Sequence, residues 1–234
     1  MKEVRLPLGC KIIGREAFYG CHLRKPVVFP DTLTEIRTRA FAENCNLSQV
    51  SFPASLQKLG EQCYKNCNNL KAVRFAPDSR CTEIPEEAFA GCVKLSELTL
   101  PVGTEIIEKR AFYKCKELKK VQLPESLLRI GEQAFYFCGI EELELPEGLQ
   151  ELGDKAFFKC NGLRNVFVPK SVRKIGEGVF HGCNRLEYLE IHHDPEEIGP
   201  GIVNKSCTIR CRKGSRMDAY CEENGLKTEY IDER

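Results

Sequence analysis

The sequence is short of the features that mark several large classes of protein. No apolar run approaches the roughly 18–20 residues that a membrane-spanning helix needs. The N-terminal MKEVRLPLGC has no apolar signal core, which fits either a protein that is not exported or a mature fragment without its signal. The net charge is +1 and no block of like charge stands out, so neither nucleic acid nor an anionic membrane is expected as a partner.

Signatures of catalysis are also lacking. The sequence contains no G-x-S-x-G, P-loop, H-E-x-x-H or G-x-G-x-x-G motif. Asp31 and Glu125 are scattered acids without a companion that would define an acid–base pair. His192 and His193 are adjacent, and neighbours on an extended chain point to opposite sides, so they would not easily share a metal ion. The sequence therefore predicts no enzyme activity, no metal site and no cofactor.

What the sequence does contain is one motif repeated along its whole length. The stretches IGEQAFYFC (130–138), LGDKAFFKC (152–160) and IGEGVFHGC (175–183) place an aromatic residue and a cysteine at matching positions. The aromatic residue recurs every 22–25 residues and is replaced by valine in the ninth copy. The nine positions are Phe18, Phe41, Tyr64, Phe89, Phe112, Phe135, Phe157, Phe180 and Val203. A period in this range predicts a stacked repeat architecture.

Each unit predicts a strand, a corner and a short turn. After the cysteine comes a stretch such as LSELTLP (95–101), whose alternating apolar residues indicate a half-buried strand closed by proline. The corner reads xxLxxIG, and we expect its glycine to free the backbone. The xxAFxxC segment then predicts one turn of α- or 3₁₀-helix. One coil cannot bury its apolar edge alone, but stacked neighbours can bury it together.

This unit resembles the leucine-rich repeat and is most similar to the BspA-like class, whose repeat reads IxxxAFxxCxxLxxIxLP. The resemblance runs from Val4 to about Cys211. It implies a leucine-rich repeat solenoid of the α/β type, mostly strand with short helical or 3₁₀ turns. The expected shape is a right-handed, single curved stack of about nine coils, and we expect residues 1–211 to form it.

A helix–strand cap is expected over residues 212–234, which resemble the closing segment of that class. Ser215 and Asp218 form a capping box, and Met217, Tyr220 and Cys221 share one helix face. Asn224-Gly225 then ends the helix. Such a segment would cover the open edge of the last coil.

Fourteen cysteines would suggest a disulfide framework in a small secreted protein. Nine of them, however, follow the aromatic residue at a nearly constant distance, which predicts reduced, buried thiols acting as small apolar side chains. On this interpretation, Cys138→Ser would bury a hydroxyl without a partner. Cys211 and Cys221 lie outside the series, and a disulfide between them remains an open alternative.

A ligand patch is predicted where outward-facing strand residues of the last coils gather aromatics and acids. The patch consists of Glu142, Glu144, Asn165, Phe167, Tyr188 and Glu190. Exposed aromatics beside carboxylates suit a short glycan or a basic stretch of protein. The alternatives are that Phe167 and Tyr188 only pair across strands and stabilise the sheet, or that another domain covers them.

For function, the resemblance implies a binding or adhesion module, because BspA-like proteins are typically surface proteins that contact host proteins or other cells. We therefore expect a monomeric, non-enzymatic module, extracellular or on the cell surface, that binds a protein of a host or neighbouring cell or a short glycan. Nucleic acid binding and membrane insertion are not expected. Unpaired thiols favour a second hypothesis, a cytoplasmic leucine-rich repeat scaffold, because a reducing compartment preserves them.

Overall fold

The alternating apolar residues of each repeat form two parallel β-faces in a computed structural model that describes residues 4–231. The corner segments form one face as two-residue strands: β1 (Ile12–Ile13), β2 (Glu35–Ile36), β4 (Lys58–Leu59), β6 (Glu83–Ile84), β8 (Ile106–Ile107), β9 (Arg129–Ile130), β10 (Glu151–Leu152), β12 (Lys174–Ile175) and β14 (Glu197–Ile198). Longer strands form the other face: β3 (Gln49–Phe52), β5 (Ala72–Phe75), β7 (Glu97–Thr99), β11 (Asn165–Val168), β13 (Tyr188–Ile191), β15 (Thr208–Cys211) and β16 (Lys227–Tyr230). Each strand pairs in parallel with its equivalent in a neighbouring coil. The predicted leucine-rich repeat solenoid is confirmed.

The third side of each coil is the turn that carries the aromatic residue. Within the described residues this turn is neither α- nor 3₁₀-helical. Instead, the residues two before and two after the aromatic have positive φ, as in Arg110 (55°) and Lys114 (62°) around Phe112. This conformation points alternate N–H groups at the next coil, where Phe112 N donates to the Ala134 carbonyl at 2.8 Å. The expected helical turn is thus replaced by one that hydrogen-bonds between coils.

The corner glycine has a different role from the one expected. Gly60, Gly131 and Gly153 do not have left-handed φ angles. A Cβ on Gly60 would lie 2.3 Å from the backbone nitrogen of Thr38 in the preceding coil, far inside van der Waals contact. These glycines therefore allow two coils to approach closely because they lack a Cβ. The conformational freedom of glycine, which was expected to matter, is not used here.

The repeated aromatic residues form a continuous column of stacked rings through the core. Neighbouring ring centroids lie 5.1–5.7 Å apart, and their planes differ by at most 17°. The column runs through Phe18, Phe41, Tyr64, Phe89, Phe112, Phe135, Phe157 and Phe180. Its last seven members are fully buried. Stacked pairs of this kind contribute about 0.5–1.5 kcal/mol beyond the burial of their area.

The repeated cysteine is a hydrogen-bond donor as well as a core residue. All fourteen cysteines lie within the described residues and are reduced thiols. Cys138 Sγ donates to the carbonyl of Phe112 in the preceding coil at 3.1 Å. The same bond joins Cys67 to Phe41, Cys92 to Tyr64, Cys115 to Phe89, Cys160 to Phe135 and Cys183 to Phe157. The expectation that a serine at position 138 would lack a partner is therefore wrong, because an acceptor is already in place.

The second coil shows what this position requires. Three residues after Phe41 it carries Asn44 where seven other coils carry cysteine, and Cys45 is displaced to a half-buried site. Asn44 Nδ2 donates to the Phe18 carbonyl at 2.7 Å, as a cysteine would. Its Oδ1 also accepts from Leu23 N at 3.1 Å. This position therefore requires a buried side chain that donates a hydrogen bond to the backbone carbonyl of the preceding coil.

The C-terminal helix α1 (Arg216–Asn224) forms as expected. Ser215 is its N-cap and accepts a hydrogen bond from Asp218 N at 3.1 Å, while Gly225 ends it with φ of 62°. Cys211 and Cys221 are both buried, and their thiols are not joined. A hydrogen bond from Cys211 to Cys221 raises the pKa of Cys211. None of the helices in the part of the chain that the structure describes is long and apolar enough to span a membrane.

Tyr64 is the one tyrosine of the aromatic column, and its phenol oxygen lies in the apolar core. That oxygen is buried without a hydrogen-bond partner among the described residues, and burial raises the pKa of Tyr64 well above its ordinary value. We expect Tyr64→Phe to raise the free energy of unfolding by about 1–3 kcal/mol, the penalty of an unsatisfied buried hydroxyl. Urea denaturation measures this, and the reverse change Phe112→Tyr should lower stability. Destabilisation by Tyr64→Phe would contradict the assignment.

Thiol accessibility gives the second prediction. Cys10, Cys21 and Cys45 are half-buried and the other eleven cysteines are buried. Burial raises the pKa of Cys67 to about 12 and of Cys81 to about 11, and the thiolate is the reactive form. Near neutral pH, a thiol reagent should modify at most three groups in the native protein and all fourteen after denaturation without reductant. Intact mass spectrometry counts the adducts, and a deficit after denaturation would reveal disulfides.

Candidate functional site

The predicted ligand patch falls into two parts, because the long-strand face is interrupted between β7 and β11. In that gap the described residues form only an isolated parallel bridge, between Lys120 and Glu142. The repeat that starts at Phe135 is one residue shorter than the repeats before and after it. The shortening falls at Gly139, where a Cβ would lie 2.3 Å from the carbonyl oxygen of Lys116. Glu142 and Glu144 lie in the interrupted region, whereas the other four patch residues lie on continuous strands.

The interruption contains a hollow of about 430 Å³, called the acidic hollow below. Its charged lining is Lys120, Glu125, Glu142, Glu144 and Glu147. Gln122 and the apolar residues Val121, Leu123, Leu145 and Pro146 complete it. Four carboxylates against one ammonium group give the hollow a net negative charge, and its apolar lining can accommodate the aliphatic part of a ligand.

Among the described residues, Glu142 is the only acid of the hollow that forms an ion pair. Lys120 Nζ donates to Glu142 Oε2 at 2.8 Å, which lowers the pKa of Glu142 and raises that of Lys120. Both side chains are well exposed, so the pair contributes little to stability. Within residues 4–231 no cation lies within ion-pair distance of Glu125, Glu144 or Glu147. These three carboxylates are available to a ligand.

Tyr188 and Glu190 contact side chains from the same sheet and from the residues that follow it. The Arg210 guanidinium on β15 lies over the Tyr188 ring, 3.9 Å from its centroid, and 4.0 Å from Glu190 Oε2. Glu190 also contacts His192, with 2.5 Å between Oε1 and Nε2. Both residues are half-buried. For Tyr188 these contacts favour the alternative in which it stabilises the sheet, and they also engage Glu190.

Phe167 and Asn165 remain open to solvent. The Phe167 side chain is 43% exposed, and the ring of His192 contacts it edge-on at 5.4 Å between centroids. Phe167 occupies the same stripe of the repeat as Glu144, one coil further on. Phe167 therefore lies one coil beyond Glu144, beside the acidic hollow but not among the residues that line it.

Sequence reasoning did not identify Lys120, Glu147 or Arg210. Glu125 and Glu147 each follow the proline that closes a strand, in consecutive coils, so the repeat alignment contains the signal that brings them together. Glu125 therefore has companion acids, contrary to expectation. Arg210 lies in the degenerate last repeat, where the alignment is weakest. Among the described residues no group of three His, Cys, Asp or Glu side chains is placed to hold a metal ion.

Comparison with known proteins agrees with this architecture. A family model described as BspA type Leucine rich repeat region matches residues 1–82 and 82–210, in six copies. No curated protein matches the chain.

Solved bacterial leucine-rich repeat proteins share the fold. One from Bacteroides ovatus superposes with a TM-score of 0.66 at 22% identity, over 99% of this chain and 78% of that one. The Treponema pallidum leucine-rich repeat protein gives a TM-score of 0.55 at 26% identity, over 87% and 85% of the two chains. One from Eubacterium ventriosum gives 0.51 at 23% identity, over 63% and 46%.

The contacts around Tyr188 predict that it serves stability more than Phe167 does. We expect Tyr188→Ala to lower the free energy of unfolding by about 1–2 kcal/mol, because it removes the ring under the Arg210 guanidinium. Phe167→Ala should change it by less than about 0.5 kcal/mol. Urea denaturation of these variants, with a double-mutant cycle between Tyr188 and Arg210, measures the difference. Equal effects at both positions would contradict this division of roles.

Proposed function

Because the chain belongs to the BspA-type leucine-rich repeat family, we propose that it is a non-catalytic binding module of a bacterial surface or secreted adhesion-type protein. The partner is a protein of a host or neighbouring cell, and a basic extended segment of that partner binds in the acidic hollow. The observation that carries this proposal is the excess of carboxylates in the hollow. In a solenoid, recognition is left to side chains between the core positions.

The chemistry of the hollow suits lysine and arginine side chains. Within residues 4–231, Glu125, Glu144 and Glu147 form no ion pair, so they attract cations, which also speeds association with a basic ligand. The apolar lining suits the methylene stems that lysine and arginine carry below their charged groups. Phe167 beside the hollow offers a ring face to a cation or an apolar side chain.

A basic peptide fits this surface better than a short neutral glycan. Sugars bind aromatic residues through the ring face, and Arg210 occupies one face of Tyr188. Phe167 is then the remaining aromatic of the predicted patch with an open face. Charge complementarity, by contrast, involves every acid of the hollow.

A cytoplasmic protein-interaction scaffold is the second candidate, and the fourteen reduced thiols favour it. It would use the same hollow, since charge complementarity does not depend on the compartment. Fractionation of cells that produce the native protein distinguishes the two. Recovery in the soluble interior would reject the adhesion proposal and retain the scaffold.

Calorimetric titration with a short oligo-lysine peptide tests the hollow. We expect the double change Glu144→Gln with Glu147→Gln to weaken binding about tenfold, equivalent to about 1.4 kcal/mol. Binding by the unchanged protein should weaken with rising salt, because the acids are exposed and screened. Glu86→Gln with Glu223→Gln removes the same charge elsewhere and should leave the affinity nearly unchanged. Equal losses in the two double variants would mean that the peptide senses only net charge.

A further inference from the structure

The turn side of the solenoid carries a second organised surface, away from the acidic hollow. The residue directly after the column aromatic is itself aromatic in four successive coils: Tyr113, Tyr136, Phe158 and His181. Their centroids are 5.0, 4.9 and 5.7 Å apart, and the rings are stacked. We call this the outer aromatic row. In the three coils before Tyr113 the same position holds Ala42, Lys65 and Ala90.

The row presents ring edges and polar tips to solvent. Tyr113, Tyr136 and Phe158 are half-buried and His181 is exposed. Because the faces stack on one another, the outward parts are the ring edges, which carry the positive end of the aromatic quadrupole. The tyrosine hydroxyls add two hydrogen-bond donors. The row therefore offers an anionic ligand a line of weakly positive groups.

Four cations flank the row. Lys114 Nζ and the Arg110 guanidinium lie 5.0 and 5.7 Å from the Tyr113 centroid, and Lys159 Nζ lies 5.4 Å from the Phe158 centroid. Lys116 Nζ lies 5.1 Å from the ring centroid of Phe137. Arg110, Lys114 and Lys159 therefore lie against rings of the row, and Lys116 lies beside the row against Phe137.

These cations differ in their ion pairing from the lysines at neighbouring positions of the same turns. Lys109 forms an ion pair with Glu132 at 2.7 Å, and Lys155 forms one with Glu177 at 2.7 Å, and each pair joins two adjacent coils. No carboxylate in residues 4–231 comes within ion-pair distance of Lys114, Lys116 or Lys159. The positive charge of the row is not neutralised by the protein itself.

The backbone and the stacking narrow the class of anion. Phe135 N and Phe137 N donate to carbonyls of the next coil at 2.8 and 2.7 Å, so an extended peptide cannot add here through strand pairing. Nucleobases bind by stacking on open aromatic faces, and in this row the facing surfaces of neighbouring rings cover one another. A polysaccharide needs only side-chain donors and charges, and each sugar advances its chain by about the spacing of one coil.

We propose that the outer aromatic row, with Arg110, Lys114, Lys116 and Lys159, binds a linear anionic polysaccharide that runs along the solenoid axis. Carboxylate or sulfate groups of successive sugars meet the cations and the tyrosine hydroxyls. The site is separate from the acidic hollow, so a failure of either proposal leaves the other intact.

Two probes of equal length test the site: a heparin-derived oligosaccharide, which is sulfated, and an oligogalacturonate, which carries carboxylates only. Lys114→Ala with Lys159→Ala should weaken binding by at least roughly tenfold, and Tyr113→Phe with Tyr136→Phe by roughly fivefold. The tyrosine changes keep the stacked rings, so the melting temperature should not fall. Lys58→Ala with Lys170→Ala removes equal charge from other exposed positions and should leave binding unchanged.

Each outcome has a defined meaning. Binding of one or both probes with this ranking of variants supports the site, and the preferred probe identifies the anion. Binding of neither probe overturns it. So does equal weakening by Lys58→Ala with Lys170→Ala, or an oligo-glutamate that binds as tightly, because either result reveals attraction by net charge alone. Tyrosine variants that bind as well as the unchanged protein would remove the row from the site.

Discussion

Every coil of this protein must make its hydrogen bonds and apolar contacts with the next coil at one shared spacing, and the rest of the structure depends on that constraint. It explains the turns, in which residues such as Arg110 and Lys114 take positive φ so that backbone donors point along the stack. A left-handed conformation costs a non-glycine residue roughly 1–2 kcal/mol. The inter-coil hydrogen bond offsets this, because it satisfies groups that would otherwise be buried without partners.

The repeat period was enough to locate the aromatic column, the cysteine positions and the face of longer strands, but it did not predict the second parallel face that the corner segments form. The repeat period did not predict the conformation of the turn, because a lysine or glutamine in the sequence does not indicate a positive φ. The role of Gly60 was misjudged for a related reason: its neighbour is Thr38, one coil away, and only stacking brings the Thr38 backbone nitrogen to 2.3 Å from where a Cβ on Gly60 would lie. Asn44 was not predicted to have a role, although its side chain donates to the carbonyl of the preceding coil as the buried cysteines do.

For the candidate site, sequence alignment placed the outward stripes, but it could not say which side chains are already engaged. That depends on neighbours from other parts of the coil. Arg210 comes from the degenerate last repeat and covers Tyr188, while Glu147 comes from a corner and joins Glu144 in the hollow. The segments AFY, AFF and VFH each place a second ring directly after the buried Phe, so the sequence contains the outer aromatic row, although it was not predicted.

The same constraint decides what kind of ligand such a surface favours. Each coil contributes one side chain to each stripe, so a stripe is a periodic array, and a ligand that repeats at the coil spacing meets an equivalent group at every step. A ligand that spans several coils also binds only while those coils remain stacked. Its binding free energy therefore adds to the interface terms that hold neighbouring repeats together. Recognition along the axis and resistance to local unfolding are, for this architecture, consequences of one geometry.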